Sequence, residues 1–217
     1  MSRPRYYYIA LVFVCFFLVT SPASATTSPM RTSISYISVV TKAGHLSTGY
    51  EVSQLEHGSC EYGSTVLESS LIPVYMCVTH QSTYLTCWYL ARSKRHTAMA
   101  VCLPLPWSKY VVEVSTTTVP VTPVHAGATT NLNWPWAVEL TTGTRCLPGP
   151  GPGPVVSGLG IVDYYCGSPA FGLLNHADRA HALWTFKSVR ESRSGRYVLA
   201  GQVTVQRAWF AGSTTPR

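Results

Sequence analysis

The sequence predicts a mainly β protein, built of antiparallel sheets and hairpins with one short helix and held by disulfides. Three observations carry this. Apolar runs of strand length recur along the chain and are split by short polar clusters. Several runs alternate apolar and polar residues with period two, the mark of a strand with one face on a core. Six cysteines lie outside an N-terminal leader, an even count suited to three bridges.

The leader comes first. Arg3 and Arg5 precede YYYIALVFVCFFLVT, residues 6 to 20, and Ala23-Ser24-Ala25 then fits the small-x-small rule of signal peptidase. Residues 1–25 therefore read as a secretory signal peptide, cut after Ala25. The apolar run is shorter than the roughly 20 residues that cross a bilayer. No later run approaches that length, so no membrane span is expected in the mature chain, whose predicted location is extracellular. The cut removes Cys15 and leaves Cys60, Cys77, Cys87, Cys102, Cys146 and Cys166, which an oxidising compartment turns into disulfides. The spacing does not say which cysteine pairs with which.

The rest divides into an N-terminal β region, 26–114, a Thr/Pro-rich linker, 115–130, and a C-terminal β region, 131–217. Ile34 to Thr41 is β-branched and reads as a strand, while residues 42–65, rich in Gly, Ser and His, read as loop. LIPVYMCVT, TYLTCWYLA and TAMAVCLPL, split by THQS and RSKRH, read as successive strands of an antiparallel meander. Pro73 and Pro104 push the outer two toward edge positions. KYVVEVS alternates strictly, with Tyr110, Val112 and Val114 on one face. STTTVPVTPVHAGATT, the linker, has the composition of an O-glycosylated segment. LPGPGPGPVVSG, residues 147–158, is a second break: its alternating Gly and Pro cannot supply a ladder of N–H groups, and it reads as extended loop.

GIVDYYC follows as a strand. NHADRAHALW, residues 175–184, reads as the short helix: Asn175 is a fair N-cap, and Leu173, Ala177, Ala180 and Trp184 share a helical face. WTFKSV and YVLAGQVTVQRAWF flank the turn-rich ESRSGR and predict a half-buried, basic hairpin.

Loss of Arg3 and Arg5 with the leader leaves 14 basic residues against 9 acidic ones. The excess is local: from Arg179 onward there are seven basic residues and one acid, Glu191. Such a patch suits an acidic glycan or an acidic cell-surface protein, and secretion argues against a nucleic-acid partner.

No catalytic constellation is legible. There is no C-x-x-C, so neither a redox pair nor a compact zinc knuckle has its spacing. His176 and His181, five apart, would not share a helix face for a metal ion. G-x-S-x-G, H-E-x-x-H and the phosphate-binding loop are absent. No catalytic residue, metal or cofactor is therefore predicted. A His176 or His181 beside Asp163 or Asp178 would favour the alternative, a secreted enzyme or toxin of unfamiliar design. A lineage-specific structural protein is the third class.

Contact residues are more visible. Trp107, Trp134 and Trp136 sit beside prolines in loop-like sequence, where rigid aromatics make binding anchors. Arg190, Arg193 and Arg196 supply the charge of the hairpin. Arg92, Lys94 and Arg95 fit the R-x-K-R pattern of a furin-type protease and equally a charged turn. No N-x-S/T sequon is present.

From Cys87-Trp88 onward the order of features resembles the surface subunit of gamma-type retroviral envelope proteins. CLPLPWSKYVVEV, STTTVPVTPV, Cys146, LPGPGPGP and YYCGSPAF stand where that family has an apolar Leu-Pro stretch, a Thr-rich interval, an isolated Cys, a Gly/Pro segment and an aromatic-Cys-Gly element. The resemblance covers residues 87–171. The family's Cys-Trp-x-Cys isomerase motif would need a cysteine at Leu90, so that activity is not implied. What the resemblance implies is receptor binding by an envelope-like surface subunit.

Overall fold

The computed structural model describes residues 31–63, 74–91, 98–117, 134–149 and 152–212. Residues 1–25, expected to form a signal peptide, the R-x-K-R stretch with Arg92, Lys94 and Arg95, and most of the expected Thr/Pro linker lie outside them.

The described residues are all β. Five strands form a closed barrel: β2 (Glu51–Gly63), β3 (Tyr75–Thr79), β4 (Thr83–Tyr89), β5 (Ala98–Cys102) and β6 (Tyr110–Thr116). Consecutive strands pair antiparallel, so the first and fifth run the same way and the closing pair, β2 with β6, is parallel. Closure leaves none of these strands an edge, which corrects the edge positions expected near Pro73 and Pro104. Pro104 instead follows β5, where its missing N–H interrupts no ladder. β2 itself corrects the loop expected at 42–65. Its exposed positions mix polar Glu51, Ser53, Gln54 and His57 with Val52 and Leu55, and its pairing is carried by backbone bonds to β3 and β6 that composition does not reveal.

β4, β5 and β6 are apolar on both faces for two reasons. Inside, Cys60, Cys77, Cys87, Cys102, Ala100, Val112 and Val114 fill a narrow core of small side chains. Outside, Trp88, Val101 and Val111 pack against Val39, Val40, Trp136 and Ala211 from the rest of the chain. The strict alternation of KYVVEVS serves both: Val112 and Val114 point in, Val111 points out.

The second sheet takes β1 (Ser33–Ile37), β7 (Ala137–Leu140), β8 (Arg145–Pro148), β9 (Val155–Val156), β10 (Gly160–Cys166), β11 (Ser168–Asp178), β12 (Thr185–Glu191) and β13 (Tyr197–Ala211). Its path β13-β12-β11-β10-β8-β7 returns to β13, because β7 pairs with the later part of that 15-residue strand. Tyr164, Leu173, Phe186, Val205 and Phe210 fill its interior. β1 pairs in parallel with Arg207–Ala211, so the N-terminal region contributes a strand to the C-terminal sheet. Ser115 and Thr116, expected in the linker, complete β6.

The short helix expected at 175–184 is not formed. Residues 175–178 end β11, and Asp178 pairs with Thr185 across a bulge. Asn175 takes a left-handed conformation, φ 48°, which no helix interior tolerates. Its side chain accepts a hydrogen bond from Ile161 N at 3.0 Å and donates one to Leu159 O at 3.2 Å. Asp178 Oδ1 then accepts from Ala180 N at 2.9 Å, the local bond of a turn. Leu173, Ala177 and Trp184 still reach one core, by a bulge and a turn rather than by helical spacing.

Each disulfide ties neighbouring strands: Cys60–Cys77 joins β2 to β3, Cys87–Cys102 joins β4 to β5, and Cys146–Cys166 joins β8 to β10. The last two link residues directly opposite in the ladder. A bridge of this loop length adds about 2–4 kcal/mol.

Candidate functional site

The site begins at the β5–β6 connection. Pro104 and Pro106 fall in a bend and turn, which Ser108 N closes on Leu105 O at 3.0 Å. This turn carries Trp107 out of the first barrel, half-buried, against the second sheet. Its ring meets Trp209 edge-on at 5.5 Å. The guanidinium of Arg145, on β8, lies 4.8 Å from the Trp107 ring centroid. Arg145 Nε also donates to Glu139 Oε2 on β7 at 2.9 Å, which fixes the guanidinium over the indole.

Beside this stack lies an open, mostly apolar groove of about 810 Å³. Trp107, Arg145, Leu147, Pro148, Tyr165 and Ser168 line it. The two barrels thus contribute jointly, with Trp107 from one and Arg145 and Tyr165 from the other. The lining pairs aromatic and proline surface with one cation, Arg145, and the hydroxyls of Thr144, Tyr165 and Ser168, and no histidine or carboxylate lines it. That arrangement can hold an extended ligand by stacking and orient it by a few polar contacts.

Strand direction places a second feature at the same end. β8 and β11 start there, β7, β10 and β12 end there, so the β7–β8, β10–β11 and β12–β13 turns cluster. The last is the predicted basic hairpin. Arg190, Arg193 and Arg196 are all exposed on it.

Not every predicted anchor faces solvent. Trp136 is 2% exposed and packs between the barrel and the second sheet, so it is a core residue and not a contact surface. Its neighbour Pro135 explains the placement: Pro135 O accepts the buried Tyr164 hydroxyl at 2.6 Å, which pulls the segment inward. Trp134 is half-buried just before it. Arg145 and Tyr165 escaped the sequence reading, because nothing near them in sequence announces a groove that strand pairing assembles.

The cysteines behave as expected of structural thiols. The sulfurs of Cys77, Cys87 and Cys102 lie within 4.8 Å of one another, a spacing that could suit a metal ion, but each is already bonded to another sulfur. His45, His57, His80 and His181 are exposed.

The one buried charged side chain among the described residues is Glu56, at the β3–β4 turn end of the first barrel. Tyr84 Oη donates to its Oε1 at 2.7 Å, and the Gln54 amide donates to the same oxygen. Burial pushes the carboxyl up, but bonds from Thr79, Tyr84 and Gln54 outweigh it and hold Glu56 below the usual carboxylate range. Burial first, and then the bond and charge of Glu56, push the Tyr84 phenol up to about 12. Neither Glu56 nor Tyr84 lines the groove.

Compared with known proteins, the chain matches no family model, no curated protein and no solved structure.

Proposed function

We propose that this chain is a secreted, disulfide-stapled binding protein that works by occupying a cell-surface partner, without catalysis. The observation that carries the reading is the groove at Trp107, walled by aromatic, proline and arginine side chains from both barrels. Rigid aromatic surface loses little entropy on contact, and residues of this type dominate binding energy where they meet a partner. The leader-like N-terminus and the three bridges support export. The motif order from Cys87 to Phe171 supports the sharpest form of the reading, an envelope-like receptor-binding subunit. In that form the Trp107 groove is the receptor contact and the linker is an O-glycosylated spacer.

Labelled mature protein should bind intact cells saturably and be displaced by unlabelled protein. Combining Trp107→Ala with Tyr165→Ser should weaken that binding by about tenfold or more, the effect of losing a hot spot. Non-saturable binding, or an unchanged affinity in a correctly folded double variant, would reject the groove as the contact.

A further inference from the structure

The β12–β13 hairpin sorts its charges by face. Arg190 lies directly opposite Val198, and Ser192 N bonds Arg196 O to close the tip. Side chains alternate along a strand, so Arg190 and Val198 share a face, which Arg196, two residues before Val198, continues. Glu191, the only acid of this segment, lies opposite Tyr197 on the other face. Burial and then the Glu191 charge raise the Tyr197 phenol, in keeping with that side. Arg193 stands at the tip between the two. Among the described residues no carboxylate pairs with Arg190, Arg193 or Arg196. Three guanidinium groups therefore stand on one narrow hairpin against a single carboxylate, Glu191, which forms no ion pair with any of them.

We infer that this hairpin binds a sulfated polysaccharide of the glycosaminoglycan class. A stable protein interface needs about 800 Å² from each partner around an apolar centre, and a two-stranded tip with one exposed valine on its cationic face offers neither. A linear polyanion needs no flat surface: it engages cations one at a time along its length. Arginine suits sulfate, because its planar fork donates two parallel hydrogen bonds to a tetrahedral oxyanion. Proline-bounded exposure is not required here, since the ladder with β11 and β13 holds the arginines in place. The inference rests on the exported binding reading for the place where such polymers are met, but its contacts are separate from the groove.

The test uses purified, oxidised protein and immobilised heparin. The parent should bind, and the affinity should fall steeply between about 0.1 and 0.5 M salt, as screening of exposed charges requires. Arg190→Ser/Arg193→Ser/Arg196→Ser should bind about tenfold more weakly or worse. Arg31→Ser/Lys42→Ser/Lys109→Ser removes the same charge from outside the hairpin and should stay within about twofold, if placement and not net charge decides. Equal losses in both triple variants, equal binding of desulfated heparin, or no binding by the parent would overturn the proposal. Trp107→Ala should bind heparin as the parent does. Loss of heparin binding with Trp107-dependent cell binding intact removes the hairpin proposal alone, and the reverse pattern removes only the groove.

Discussion

Glu56 and Tyr84 form a coupled pair whose titration can be read directly. Tyr84 is held protonated up to about 12 by burial and by the adjacent carboxylate. Its folded value is raised, so its contribution to stability is complete below its unfolded value of about 10 and is lost as pH climbs through about 12. Glu56 is the opposite case: its folded value is lowered, so its contribution is complete above the ordinary carboxyl range of about 4.3 and is lost on acidification through the folded value. Glu56→Gln removes the charge and leaves the burial. The Tyr84 midpoint, followed by the ring-carbon resonance of labelled tyrosine, should therefore move down toward 10 without reaching it. A midpoint that stays at about 12 would mean that burial alone holds the proton. Neither residue was legible as a pair in the sequence, because they lie 28 apart and meet only through barrel pairing. Cysteines were legible at this scale for a different reason: their chemistry depends on compartment and count, not on neighbours.

Among the elements, β10 and β12 were legible as apolar runs that end at a Gly- or Ser-rich turn, and β13 by its alternation. β2 was not, since a strand whose side chains mostly face solvent leaves no apolar signature. The end of β11 was misread for a subtler reason. Leu173, Ala177 and Trp184 have the spacing of a helix face, and they do share a core, but Asn175 turns the backbone left-handed and spends its side chain on Leu159 and Ile161. Only the partner strand reveals that role. Gly160 confirms the closeness of the approach: a Cβ there would collide with the Asn175 amide, so Gly160 is required beside it. Asn175→Ala loses both bonds and the tolerance of asparagine for this conformation, and should destabilise by about 1–3 kcal/mol in urea unfolding. Asn175→Gly keeps the conformational freedom and should fall between alanine and the parent. An alanine variant as stable as the parent would show that the bulge is held by the ladder with β12 and not by Asn175.

At the scale of the molecule, no disulfide joins the two barrels. Two bridges lie within the first barrel and the third within the second sheet, so none crosses between them. Coupling falls to the shared cluster in which Trp136 and Ala211 of one meet Trp88, Val101 and Val111 of the other, with Val39 and Val40 between. This also explains why the groove was only half legible: Trp107 could be singled out as an aromatic beside prolines, but its partner Arg145 comes from the other barrel, and no local pattern reports how barrels dock. The same cluster sets how the protein unfolds. With it intact, both barrels should melt in one calorimetric transition. Trp136→Ala removes the largest side chain that the second sheet lends to the seam, a loss of about 3–5 kcal/mol for a buried tryptophan. Each barrel keeps its own interior and bridges, so the loss should fall on the coupling and split the melt into two transitions. Phe186→Leu, confined to the interior of the second sheet, should lower a single transition without splitting it. A Trp136→Ala protein that still melts in one step would place the coupling in the links that remain, the contact of Trp107 with Trp209 and the pairing of β1 with β13.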